Sequence, residues 1–129
     1  MTAQQEFFTL MKTALEAQGL TVYTDKLPPA NVPYPFIYLA GMTDNPTAVK
    51  FGNMGQFSQT VQIWHKATQR GTVSDLLGIV LQAADKIDGN EWSFNLLKNE
   101  TEQQILDDNT TDVPLMQGYS SLRIFYARR

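Results

Sequence analysis

The stretch Pro33-Tyr34-Pro35-Phe36-Ile37-Tyr38-Leu39, closed by Ala40-Gly41, decides how the rest of the chain is read. Two prolines hold the backbone extended on entry, and four apolar or aromatic residues follow without a break. A short run of β-formers between Pro and Gly predicts a strand buried on both faces, expected at the centre of a small sheet.

Upstream, Thr2 and Gln5 have the spacing of a capping box, and Gly19 is a natural stop. Phe7, Leu10, Met11, Ala14 and Leu15 recur at helical spacing between them, with Phe8 beside the stripe, predicting an amphipathic helix over residues 3–18. Leu20 to Thr24 alternates as a short strand, and Asp25 to Val32, with Pro28-Pro29, reads as a loop.

Downstream, Met42 to Gln56 reads as a long polar connection or a projecting hairpin arm. Phe57 to Lys66 is a second long strand, with Phe57, Gln59, Val61, Ile63 and His65 on one face and Ser58, Thr60, Gln62, Trp64 and Lys66 on the other. Thr72-Val73-Ser74-Asp75 predicts a second helix capped by Thr72, with a stripe of Val73, Leu76, Leu77, Val80, Leu81, Ala84 and Ile87 and a stop at Gly89. Gly78 inside it is expected to mark close approach to the sheet. Three further strands follow: Glu91 to Leu97 with Trp92, Phe94 and Leu96 on one face, a weaker one at Gln103 to Leu106, and Gly118 to Ala127. Residues 107–114 read as an acidic turn. The expected fold class is α+β, a single domain over residues 1–129. A single mixed, mainly antiparallel sheet carries two helices on one face, in the order α-β-β-β-α-β-β-β. The predicted core is Phe7, Met11, Leu15, Ile37, Leu39, Val61, Ile63, Leu77, Val80, Leu81, Leu122 and Ile124.

Composition narrows the chemistry. A net charge of −3 is the wrong sign for gripping phosphate backbones. With 0 cysteines and 1 histidine, thiolate chemistry, His-based metal clusters and a serine triad lack their parts. No apolar run is long enough to span a membrane, no signal peptide is evident, and a cytoplasm-like compartment is the expectation. Asp107, Asp108 and Asp112 bring carboxylates together, yet their spacing matches no calcium loop. Gly52-Asn53-Met54-Gly55 has the outline of a backbone clamp for nucleic acid, without basic neighbours, and reads more simply as a flexible loop tip. Arg128-Arg129 reads as a solvated tail. No catalytic residue, cofactor or metal is expected, so the chain reads as a non-enzyme. The competing readings are a nucleic-acid-binding adaptor built on the Gly52–Gly55 loop, and a small ligand-binding domain or enzyme near His65 and the acidic turn.

Several landmarks stand in a fixed order: the first helix, Val22-Tyr23, Pro28, Tyr34 to Gly41, Gln62-Ile63-Trp64-His65-Lys66, Ala84-Asp85-Lys86-Ile87, then Asp112 and Gly118-Tyr119. In this the chain resembles the tail terminator proteins of long-tailed bacteriophages and prophages, also called tail-completion or head–tail joining proteins. The likeness spans about residues 5–127 and comes nearest to the variant found in phages of Gram-positive hosts. The resemblance implies a virion protein, made in the host cytoplasm. It would form a ring, usually of six subunits, that caps the tail tube, stops its growth and meets the head connector protein, with DNA only in passage. Six copies at −3 give a formal −18, a channel wall along which DNA slides without being held. For such a ring the expected interface lies in two segments: Val49, Lys50, Phe51 and Met54 in one, and Asp107, Asp108, Asp112, Val113, Leu115 and Met116 in the other. Both are expected to be mobile while free and ordered on assembly.

Overall fold

The computed structural model describes residues 1–28, 32–44, 53–109 and 113–129. Helix α1 (Ala3–Ala17) is followed by strands β1 (Val22–Tyr23), β2 (Phe36–Asp44) and β3 (Met54–Lys66), and then by helix α2 (Arg70–Asp85). Strand β4 (Trp92–Leu96), a short 3-10 turn (Lys98–Glu100), β5 (Glu102–Asp108) and β6 (Leu115–Arg128) complete the chain. The fold is α+β with one mixed six-stranded sheet ordered β1-β2-β3-β6-β4, and β5 also pairs with β6. Among the described residues only the β1–β2 pair is parallel. β4 takes the C-terminal half of β6 and β5 its N-terminal half, so both lie along the same side of that strand.

The centre is therefore β3 and β6, not the Tyr-Pro-Phe strand, which sits one place further out. β2 also runs through Gly41 to Asp44, because a bulge between Leu39 and Met42 absorbs the irregularity. The Gln59 side chain, wholly buried beside that bulge, donates from Nε2 to the Ala40 carbonyl at 2.9 Å and to the Thr60 carbonyl at 2.8 Å. Strict alternation along β3 places Phe57, Gln59, Val61 and Ile63 inward, and β6 answers with Ser120, Leu122, Ile124 and Tyr126.

Both helices cover that inward face. Helix α1 starts at the Thr2–Gln5 capping box, with Gln5 N–H donating to Thr2 Oγ1 and Thr2 N–H to Gln5 Oε1, each at 3.1 Å. It ends at Gly19, whose φ of +81° lets Gly19 N–H reach the Glu16 carbonyl and Leu20 N–H the Leu15 carbonyl. Phe7 meets Phe57 and Phe94 edge-on at centroid distances of 5.3 and 5.4 Å. A carboxylate also joins this packing. Glu6, 7% exposed, accepts from Glu91 N–H at 3.2 Å and Trp92 N–H at 3.1 Å, tying α1 to the start of β4. Position 6 lies one turn from both Ala3 and Leu10, so the helical period alone already put this carboxylate on the stripe.

Helix α2 departs from the sequence expectation at both ends. It begins at Arg70 with Gln69 as an N-cap that makes no side-chain bond, so Thr72 lies inside the first turn and caps nothing. β3 turns straight into the helix, with Gln69 N–H bonded to the Lys66 carbonyl and Val73 N–H to the Gln69 carbonyl. The helix stops at Asp85, and Gly89 serves a different purpose: a β-carbon there would collide with the Glu6 carboxylate and the Trp92 carbonyl. Gly78 faces open space, and the close approach is made instead by Gly118 of β6, where a β-carbon would stand 2.8 Å from Val73 Cγ1. Of the predicted core, Leu81 alone is only half-buried.

Leu77→Ala is expected to cost about 2–5 kcal/mol, since Leu77 is buried over Gly118, and Leu81→Ala clearly less. Paired denaturant melts check the order, and equal losses would contradict this packing.

Candidate functional site

The two helices leave the second face of the sheet bare. Register places Tyr38, Gln62, Tyr119 and Gln104 in one row across four strands, and Phe36, Trp64, Gln117 and Leu106 in the next. Ser58, Thr60, Ser121, Arg123 and Phe125 continue this face along β3 and β6. Two of its donor groups find acceptors on the same face. Trp64 Nε1 donates to Gln62 Oε1 at 3.1 Å, and Arg123 donates to Gln56 Oε1 at 3.1 Å and Ser58 Oγ at 3.0 Å. At one end Phe36 is buried under an aromatic cluster, stacked on Tyr34 at 5.7 Å and edge-on to Tyr23 at 5.5 Å.

Of the expected interface residues, Val49, Lys50, Phe51 and Asp112 lie outside the described residues. Met54 and Val113 are exposed, at 37% and 57%. Asp107 is exposed and Asp108 half-buried, but both belong to β5 rather than to a turn. The expected exposure of Leu115 and Met116 in a turn is corrected: they open β6, are 6% and 4% exposed, and pair with Lys66 and His65 on one side and with Asp108 and Asp107 on the other. Met116 joins the core under the helices, while Leu115, its neighbour in the strand, is buried on the second face.

The Gly52–Gly55 clamp is not a loop tip, since Met54 and Gly55 already belong to β3 and Gly55 is buried. A β-carbon at Gly55 would lie 2.5 Å from Tyr126 Oη, so that glycine makes room for a ring and not for a phosphate. Gly52 lies outside the described residues. Arg128-Arg129 is likewise no free tail. The Arg128 guanidinium lies 5.1 Å from the Trp92 ring centroid, and Arg129 donates to the Gly89 carbonyl at 2.8 Å and pairs with Asp88.

The enzymatic reading needs convergent groups. His65 and Asp107 face the same side in one cross-strand row, yet Met116 stands between them, putting their backbones about 9–10 Å apart by two strand spacings. That arrangement forms no acid–base dyad. Among the described residues no three His, Asp or Glu side chains form a group able to hold a metal, and no helix is long and apolar enough to cross a membrane. The His65 pKa lies below its ordinary value of 6.5, first because burial disfavours the cation and then because Lys66 is adjacent. His65 Nδ1 accepts the Lys66 N–H at 2.9 Å, a bond that only the unprotonated nitrogen accepts.

No family model and no curated protein sequence matches the chain. Among solved structures, a chain described as part of the virion of a native gene transfer agent particle is similar at a TM-score of 0.64 and 14% identity, covering 98% of this chain and 95% of that one. A second solved chain is similar at a TM-score of 0.50 and 13% identity, covering 100% of this chain and 97% of the other. At these identities what is shared is the fold, and it is shared from end to end.

Two outcomes are expected. Chelation with EDTA leaves the melting temperature unchanged, and a shift of several degrees would revive a carboxylate site around Asp107. Because the folded-state pKa of His65 is depressed, its contribution is present above about pH 6.5 and is lost as pH falls below it. The wild type therefore loses stability relative to His65→Gln between about pH 7 and about pH 5.5, and parallel curves would contradict this reading.

Proposed function

We propose that this chain is a structural subunit of a phage-like particle, a ring protein that caps the tail tube, ends its polymerisation and provides the tail side of the head–tail junction. The observation that carries the reading is the fold shared over 98% of the chain with a component of a gene transfer agent virion. The ordered landmarks from Val22 to Tyr119, which resemble tail terminators, agree with it. The proposed partners are further copies of the chain, the tube protein and the connector protein. Six subunits, and the Gram-positive phage variant, are what the resemblance adds. Met54, Asp107 and Val113 remain accessible for such contacts.

Native mass spectrometry combined with negative-stain microscopy of the purified protein, alone and with tail tubes, tests the reading. A closed ring with a central opening, seated at one end of tubes of uniform length, is expected. Monomers that leave tube length unregulated would sink it.

A further inference from the structure

Beyond Leu39 the β2–β3 ladder changes phase. Leu39 pairs with Val61 and Met42 with Gln59, so Ala40 and Gly41 together stand opposite the single residue Thr60. On a regular ladder Gly41 would oppose Gln59, and Met42 would oppose Ser58 on the second face of the sheet. The extra residue brings Met42 inward instead. There it packs against the core and, with Phe8 of α1, walls a hollow of about 250 Å³. Thr43 is left exposed.

Nothing within the bulge itself demands it. Gly41 has no positive φ, and a β-carbon added there would meet nothing within 4 Å. A glycine that neither takes the left-handed conformation nor makes room for a neighbour does not fix where a bulge falls. The bulge is joined instead by a side chain from across the ladder. Ile37 N–H points away from β3, to the Thr21 carbonyl, so alternation turns the backbone groups of Thr60 toward β2. Gln59 Nε2 bonds the Thr60 carbonyl on one strand and the Ala40 carbonyl on the other. Turning the amide over would set Oε1 against both carbonyls, so its orientation is dictated by chemistry.

The other end of the amide carries a penalty. Gln59 Oε1 is wholly buried and has no hydrogen-bond partner among the described residues. An apolar side chain of similar shape would leave no orphan acceptor under the helices. What recommends the amide at this position is therefore its pair of Nε2 bonds.

We infer that Gln59 selects the bulged register of β2, and with it which of Met42 and Thr43 faces the helices. Its amide serves as a rung of the ladder where the two backbones fall out of step. Without that rung a regular ladder gives the Ala40 and Thr60 carbonyls backbone donors, and Met42 turns out. This role holds whether or not the chain assembles.

Deleting Gly41 separates the role from ordinary core packing. The deletion removes the extra residue and keeps Met42 opposite Gln59, so the shortened strand needs no rung. In the intact chain Gln59→Leu is expected to lower the melting temperature by several degrees. In the chain lacking Gly41 the same substitution leaves it unchanged or raises it, because the orphan acceptor is gone. Equal losses in both chains, or no loss in the intact one, would overturn the inference. A substitution that unfolds the intact chain but not the shortened one supports it. One that unfolds both sinks it, since a regular ladder is then out of reach. The chain has no cysteine, so single thiols report the register directly. In the intact chain Thr43→Cys is expected to react with a maleimide several-fold faster than Met42→Cys. Gln59→Leu reverses that order. An unchanged order, or two fast thiols from mere fraying, contradicts the register shift.

Discussion

The antiparallel pairing of β3 with β6 is the constraint on which the rest of the structure depends. Thirteen consecutive residues of β3, Met54 to Lys66, meet Ala127 back to Leu115 without a break in register. Most other elements are attached to one member of this pair: β2 to the far side of β3, with β1 beyond it, β4 and β5 to the far side of β6, and α2 across Gly118. A slip of one residue would turn Phe57, Val61 and Ile63 outward and bring Ser58, Thr60 and Gln62 under the helices. The pairing also spans most of the second half of the chain, so its closure entropy is met only when the flanking elements pack with it.

Glu6 shows how the helical layer is locked to this sheet. A carboxylate taken out of water is costly unless hydrogen-bonded, and here two backbone N–H groups at the start of β4 receive it. Gly89 gives it room, and the same turn offers its carbonyl to Arg129. Helix α1, the β4 approach and the end of β6 are thus held at one corner, with Trp92 between Arg128 and the Tyr126 ring at 5.5 Å. Removing Glu6 would leave the buried Trp92 N–H unsatisfied, the expensive half of a broken hydrogen bond.

What was legible in the sequence was whatever a period reveals. Alternation along β3 and β6, the α1 stripe and the Gly19 stop depend on neighbours within a few residues, and they read correctly. The fold class followed from them. What was hidden depends on residues far apart in the chain. The place of β2 in the sheet is set by which strands find long partners, and Phe36-Ile37-Tyr38 has the same composition at the centre or one place out. The missing cap at Thr72 reflects a turn dictated by β3 ending at Lys66. Leu115 and Met116 looked like loop residues because Pro114 and the acids precede them, but partners on both sides draw them into β6. Glycine function was least legible: Gly55, Gly89 and Gly118 each make room for a side chain distant in sequence, and no local pattern records that. Of the candidate interface, exposure at Met54, Asp107 and Val113 was legible from polarity and turn signals.

A sheet face rich in aromatics and polar groups invites association, yet here its indole and guanidinium donors already have acceptors: Trp64 on Gln62, and Arg123 on Gln56 and Ser58. Docking a partner flat on that face would desolvate a guanidinium whose bonds are already made, with little to add in return.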